Sequence, residues 1–115
     1  MRTSLHAAWR DYRARRGTVL AVGAVGPPLA WTARLLGRAE AAGVVRHGAL
    51  LQHLLAAAWA TACVASLAWL AAFRCPSCRA HFHWTWLVSN PLARRCMRCG
   101  FERWRDPDAA RRLRP

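Results

Sequence analysis

The sequence contains no lysine, and its acids number only five. The acids are scattered, so there is no carboxylate pair for acid–base work. The chain also lacks a glycine-rich phosphate loop and any nucleophile set beside a base. Enzymatic chemistry therefore has no visible foothold, and the sequence reads as a non-enzyme. Between positions 49 and 73 there is no formal charge at all. A soluble surface helix needs a polar face, and this stretch has none.

What is present divides sharply along the chain. Overall hydropathy is near zero. That average conceals two almost purely apolar segments, 18–33 and 49–73, between ends crowded with arginine. The formal net charge is +13. An excess of this size favours an anionic neighbour, either membrane lipid or nucleic acid.

The second apolar segment is 25 residues long. At the helical rise that length crosses a bilayer with some tilt. Ala58, Ala62 and Ser66 recur every four residues within it, a small-residue seam that lets another helix approach closely. The first span is the natural partner, and the same seam permits two copies of the chain to pair. Gln52 and His53 sit in the first turns, where interfacial placement is the plain reading. Cys63 reads as a small apolar filler.

The first segment, 18–36, covers about 29 Å as a helix, close to the ~30 Å hydrocarbon layer. Arg34 can snorkel to the interface. Pro27 and Pro28 should kink the helix. A cleaved signal peptide is the competing reading, with 18–30 as its apolar stretch, but neither Pro28–Ala30 nor Trp31–Ala33 makes a good cleavage site. Residues 37–48 read as a polar connector broken by Gly37, Gly43 and Gly48. Ahead of the first span, His6, Trp9 and Tyr12 recur at helical spacing. Either an amphipathic surface helix with Trp9 and Tyr12 at headgroup depth or a charged tail is consistent with this.

Arginine counts set the orientation. Five precede the first span, ten follow Phe73, and the connector region has Arg34, Arg38 and Arg46. Both termini belong in the cytoplasm, at the inner membrane of a bacterial-type cell.

Four of the five cysteines form two pairs, Cys75/Cys78 and Cys96/Cys99. An odd total suits a secreted disulfide framework poorly. Two Cys-x-x-Cys turns separated by about 15–20 residues match a structural Zn2+ site in a reducing compartment. Each turn converges two thiolates, and a hairpin joining the turns completes a tetrahedral shell. Iron in the same shell is the chemical alternative. A redox dithiol needs only one pair.

Between the pairs, residues 81–86 alternate in period two. This predicts a β-strand with Phe82, Trp84 and Trp86 on one face and His81, His83 and Thr85, exposed, on the other. Ser89-Asn90-Pro91 signals a turn, and Gly100 follows the second pair where positive φ is easily adopted. The expected fold is a two-helix membrane hairpin followed by a small β zinc ribbon. Its segments are a basic tail (1–17), the spans (18–73), the ribbon (74–105) and a basic C-terminal tail (106–115). A ribbon this small depends on its metal to fold.

Residues 74–108 resemble the C-terminal ribbon of a group of small, uncharacterised proteobacterial membrane proteins. The likeness rests on Cys75-Pro76-Ser77-Cys78, the aromatic segment, Asn90-Pro91-Leu92-Ala93-Arg94-Arg95-Cys96, Cys99-Gly100 and Trp104-Arg105-Asp106-Pro107. It covers about a third of the chain. One departure is Arg79, where such ribbons carry glycine. The resemblance implies membrane location and metal binding, and no particular activity. Partner readings follow from the surface: a protein or the lipid face meeting Phe82, Trp84 and Trp86, or single-stranded nucleic acid meeting Arg94, Arg95, Arg98, Arg103 and Arg105 interleaved with Phe101 and Trp104.

Overall fold

The computed structural model describes residues 5–106 and 112, with the side chains of 5, 6 and 8 excepted. The His6 ring and nearly all of the C-terminal tail, Pro107 included, lie outside the described residues. Among the described residues two helices have defined ranges, α1 over Leu5–Ala41 and α2 over Gly48–Ala71. Both are long and apolar enough to cross a membrane. Among the described residues there is no β-strand; the C-terminal segment carries only three isolated antiparallel bridges. The expected β ribbon is thus replaced by tight turns around the cysteines.

Helix α1 is longer than the sequence suggested. Its 37 residues extend ~56 Å. It starts well ahead of the first apolar run and continues through Pro27, Pro28 and Gly37 to Ala41. The connector shrinks to residues 42–47, where Gly43 (φ 74°) and His47 (φ 63°) take left-handed conformations.

Residues fall into two compact units. One is Thr18–Leu67; the other joins the chain up to Gly17 with the chain from Ala68 onward.

In the Thr18–Leu67 unit the two helices meet through small residues. A Cβ on Gly26 would stand 2.5 Å from the Trp59 ring, so only glycine admits that indole. Trp59 Nε1 donates to the Val22 carbonyl at 2.9 Å. This supplies a donor just ahead of the prolines, which have no N–H to offer Gly23 and Ala24. At the other end, Glu40 accepts a hydrogen bond from the Ala49 N–H. A carboxylate there both caps α2 and meets the positive end of its dipole. Gly48 passes so close to the Leu36 carbonyl that a Cβ would approach it to 2.5 Å. The inward face of α2 runs through Gln52, Leu55, Trp59, Cys63 and Ser66, whereas Ala58 and Ala62 are exposed. Of the expected Ala58–Ala62–Ser66 seam only Ser66 is buried; the helix contact is built around Trp59, whose indole occupies the gap at Gly26. His53 Nδ1 pairs with the Ala49 carbonyl of its own helix at 2.6 Å.

The other unit has an aromatic core built from distant parts of the chain. Trp9 (0 % exposed) and Tyr12 (1 %) of α1 pack with Phe73, Phe82 and Trp104. Phe101 stacks parallel to Trp9 at 6.4 Å. Trp9 and Tyr12 are one helical turn apart, so both rings leave α1 on one side. Rather than lying at headgroup depth, they are the core of this unit. Arg15, another turn along, donates to the Trp69 carbonyl at 2.7 Å and pairs with Asp11 at 2.9 Å. A guanidinium on the last carbonyls of α2 suits the negative end of its dipole.

Candidate metal centre

The two Cys-x-x-Cys turns have the same backbone construction. In the first, Cys75 N–H donates to the Ala80 carbonyl at 2.8 Å and Arg79 N–H to the Cys75 carbonyl at 2.9 Å. In the second, Cys96 N–H donates to Phe101 at 2.8 Å and Gly100 N–H to Cys96 at 2.9 Å. Bridges Arg74–His81 and Arg95–Glu102 close the two loops. The residue after each pair takes a left-handed conformation, φ 58° at Arg79 and 70° at Gly100. Glycine adopts this readily; arginine does so at a cost of roughly 1 kcal/mol.

Phe82 joins the two turns. Its N–H donates to Phe73 at 2.9 Å, and its carbonyl accepts from Met97 N–H at 3.2 Å. The sulfurs converge as a result. Cys75 Sγ stands 3.8 Å from Cys99 Sγ, and Cys78 Sγ stands 3.8 Å from Cys96 Sγ. All four lie within 4.8 Å of one another. Four sulfurs held tetrahedrally at ~2.3 Å from one cation are spaced ~3.8 Å apart. The donor set and its spacing therefore fit one metal ion. Cys75 and Cys96 are buried, while Cys78 and Cys99 face outward. Cys63 stays in the other unit.

As free thiols Cys75, Cys78 and Cys99 do not titrate alike. Burial pushes Cys75 up to about 12, partly offset by the N–H groups of Cys78 and Ser77. Cys99 is also raised, first by burial. Burial acts upward on Cys78 too, but the Ala80 N–H and the neighbouring thiols outweigh it and leave this thiol lowered. Burial thus opposes ionisation of Cys75 and Cys99, and a bound dication would remove that opposition.

The histidines depart from the alternation expected of a strand. His83 is 1 % exposed and adjoins buried Phe82, whereas Trp84 and Trp86 are 54 % and 87 % exposed. Consecutive burial of Phe82 and His83 arises because the chain turns between the Arg74–His81 and Trp84–Ser89 bridges instead of running on extended. His83 Nδ1 pairs with the Asn90 carbonyl at 3.2 Å, and its ring stacks on Tyr12 at 5.7 Å. Burial lowers its pKa, and the Arg103 guanidinium lowers it further against the opposing Asn90 carbonyl. His81 is half-buried. Neither histidine joins the sulfur cluster.

No family model, curated protein or solved structure matches this chain. The reading of the centre therefore stands on its geometry. Sequence inspection found the four cysteines but missed Trp9, Tyr12 and Arg15 as parts of the module that holds them. The one signal available was the turn-by-turn spacing of the three residues on α1.

Proposed function

We propose that the chain is a two-span inner-membrane protein with both termini in the cytoplasm, where it presents a structural zinc module for interaction or regulation. The observation that carries this reading is four sulfurs at tetrahedral spacing, beginning four residues after a helix of membrane-spanning length and composition. The orientation rests on the arginine count, five and ten at the two ends against three between. A closed four-thiolate shell leaves no coordination position for water or substrate, which favours a structural ion over a catalytic one. Zinc is preferred to iron because it holds such a shell without redox cycling.

The test is fractionation and topology of the full chain. The protein should pellet with membranes and resist an alkaline wash. A cysteine introduced at exposed Val44 should be labelled from the periplasmic side, and one introduced at Arg112 only after the inner membrane is opened. Recovery in the soluble fraction overturns the membrane reading, and periplasmic labelling at Arg112 overturns the orientation.

A membrane-tethered nucleic-acid module is the second reading. Arg94, Arg95, Arg103 and Trp104 line one cleft, as base stacking beside phosphate contacts requires. Against it, Arg95 and Arg105 both pair with Glu102, at 2.8 and 3.9 Å, and Arg103 donates to Tyr12 Oη at 3.3 Å. Retention of the detergent-solubilised chain on single-stranded nucleic acid, lost with rising salt, would favour this reading.

A further inference from the structure

The Thr85–Val88 turn is closed by a Thr85 N–H bond to the Val88 carbonyl at 2.9 Å and by the Trp84–Ser89 bridge. Its tip carries Trp86, Leu87 and Val88, which are 87, 72 and 53 % exposed. Leu92, 83 % exposed, lies in the next turn, closed by the Ala93 N–H bond to the Asn90 carbonyl at 3.1 Å. So dense a run of exposed apolar side chains marks an interaction surface. One arginine accompanies it directly: Arg98 lines the same cleft as Trp84 and Trp86.

Chain geometry limits where this tip can go. Phe82 is hydrogen-bonded to Phe73, two residues beyond the end of α2. Trp86 is four residues beyond Phe82, so its backbone lies at most ~14 Å from it. The headgroup layer is about 5–7 Å thick on each side of the hydrocarbon. That upper bound is compatible with a tip seated at the surface of a bilayer crossed by α2. Tryptophan is the side chain most at home at that depth, and arginine is the counterpart of anionic headgroups.

We infer that the Trp86–Val88 hairpin tip is a membrane-docking wedge that seats in the anionic headgroup layer of the bilayer the helices cross. This rests on the proposed membrane reading and adds a specific surface to it. The wedge fixes the metal module against the lipid, leaving the opposite side to any soluble partner.

The test uses the metal-loaded full chain with Cys63→Ser and Leu87→Cys, spin-labelled at the new cysteine. It is reconstituted in nanodiscs of phosphatidylcholine, with or without phosphatidylglycerol. Metal content and disc incorporation are measured on the same sample. The expected result is a nitroxide relaxed more by oxygen than by a water-soluble paramagnetic chelate, with the preference growing when phosphatidylglycerol is present. Relaxation by the chelate equal to that of free label, in discs holding the loaded protein, overturns the wedge and leaves the membrane reading intact. Shielding from both relaxants, or immobilisation only on adding single-stranded RNA, also overturns it, in favour of a protein or nucleic-acid contact. Failure to enter discs overturns the membrane reading and the wedge with it. Because Leu87 is exposed, its replacement leaves the core untouched. As a second measurement, Trp86→Ser should abolish the phosphatidylglycerol dependence while retaining metal.

Discussion

Trp9 Nε1 donates to the Arg105 carbonyl at 3.1 Å, joining positions 96 residues apart. The first turns of α1 are thereby an integral part of the four-cysteine module. Trp9 also meets Tyr12, Phe73, Phe82, Phe101 and Trp104. Trp9→Ala should destabilise the module by ~3–5 kcal/mol, the range for large aromatic truncations in a core. Trp9→Phe, which keeps most of the packing and loses the hydrogen bond, should cost about 1 kcal/mol. Chelator-driven metal release, followed by thiol labelling, should be much faster in Trp9→Ala than in Trp9→Phe.

The residue after each cysteine pair provides a matched comparison. Arg79→Gly should stabilise the loaded module by about 1 kcal/mol, because the left-handed backbone no longer crowds a Cβ. Gly100→Ala should cost a similar amount. Nothing lies within 4 Å of the added Cβ, so the loss is conformational strain alone. Chelator competition on both variants measures the pair of opposite shifts.

How far the sequence foretold this arrangement depends on the range of each interaction. The two apolar runs and the Cys-x-x-Cys pairs are local signals, and the helices and the sulfur cluster follow them. The strand expected at 81–86 did not form, since alternation cannot register that bridges on either side force the chain to turn at His83. Trp9 and Tyr12 were legible only as a helical face. What they cover, Phe73, Phe82 and Trp104, comes from the far end of the sequence. Likewise, Arg15 looked like one more positive-inside arginine until the Trp69 carbonyl supplied its partner. The Ala58–Ala62–Ser66 spacing was real, but spacing alone does not tell which stripe of α2 meets Gly26.

His83 gives the module a pH dependence. Its pKa in the folded protein lies below the ordinary 6.5. As pH falls below 6.5 the unfolded chain takes up the proton first, so stability is full above that value and declines below it. Replacement by Phe preserves a ring against Tyr12 and removes the titration. Acid also protonates the metal-binding thiols of both proteins, so the informative quantity is the difference between them. Denaturation midpoints of the wild type should fall more steeply below pH 6.5 than those of His83→Phe.

Between α1 and α2, Gly26 and Trp59 are the critical contact. Gly26→Val places a side chain where the indole sits and should destabilise the helix pair by ~1–3 kcal/mol, the usual range for overpacking. Pairing it with Trp59→Ala should recover part of that loss. Steric trapping or thermal denaturation in detergent, read by helix content, measures both.

Metal stoichiometry with thiol counting on the purified full chain tests the central claim most directly. The expected result is one zinc per chain, with one thiol, Cys63, reactive after membrane solubilisation and four more appearing only when a strong chelator is added. Cys75→Ser should bind little or no metal and expose Cys78, Cys96 and Cys99 at once. A chain that carries no stoichiometric metal and labels at all five cysteines without chelator would contradict the four-sulfur centre.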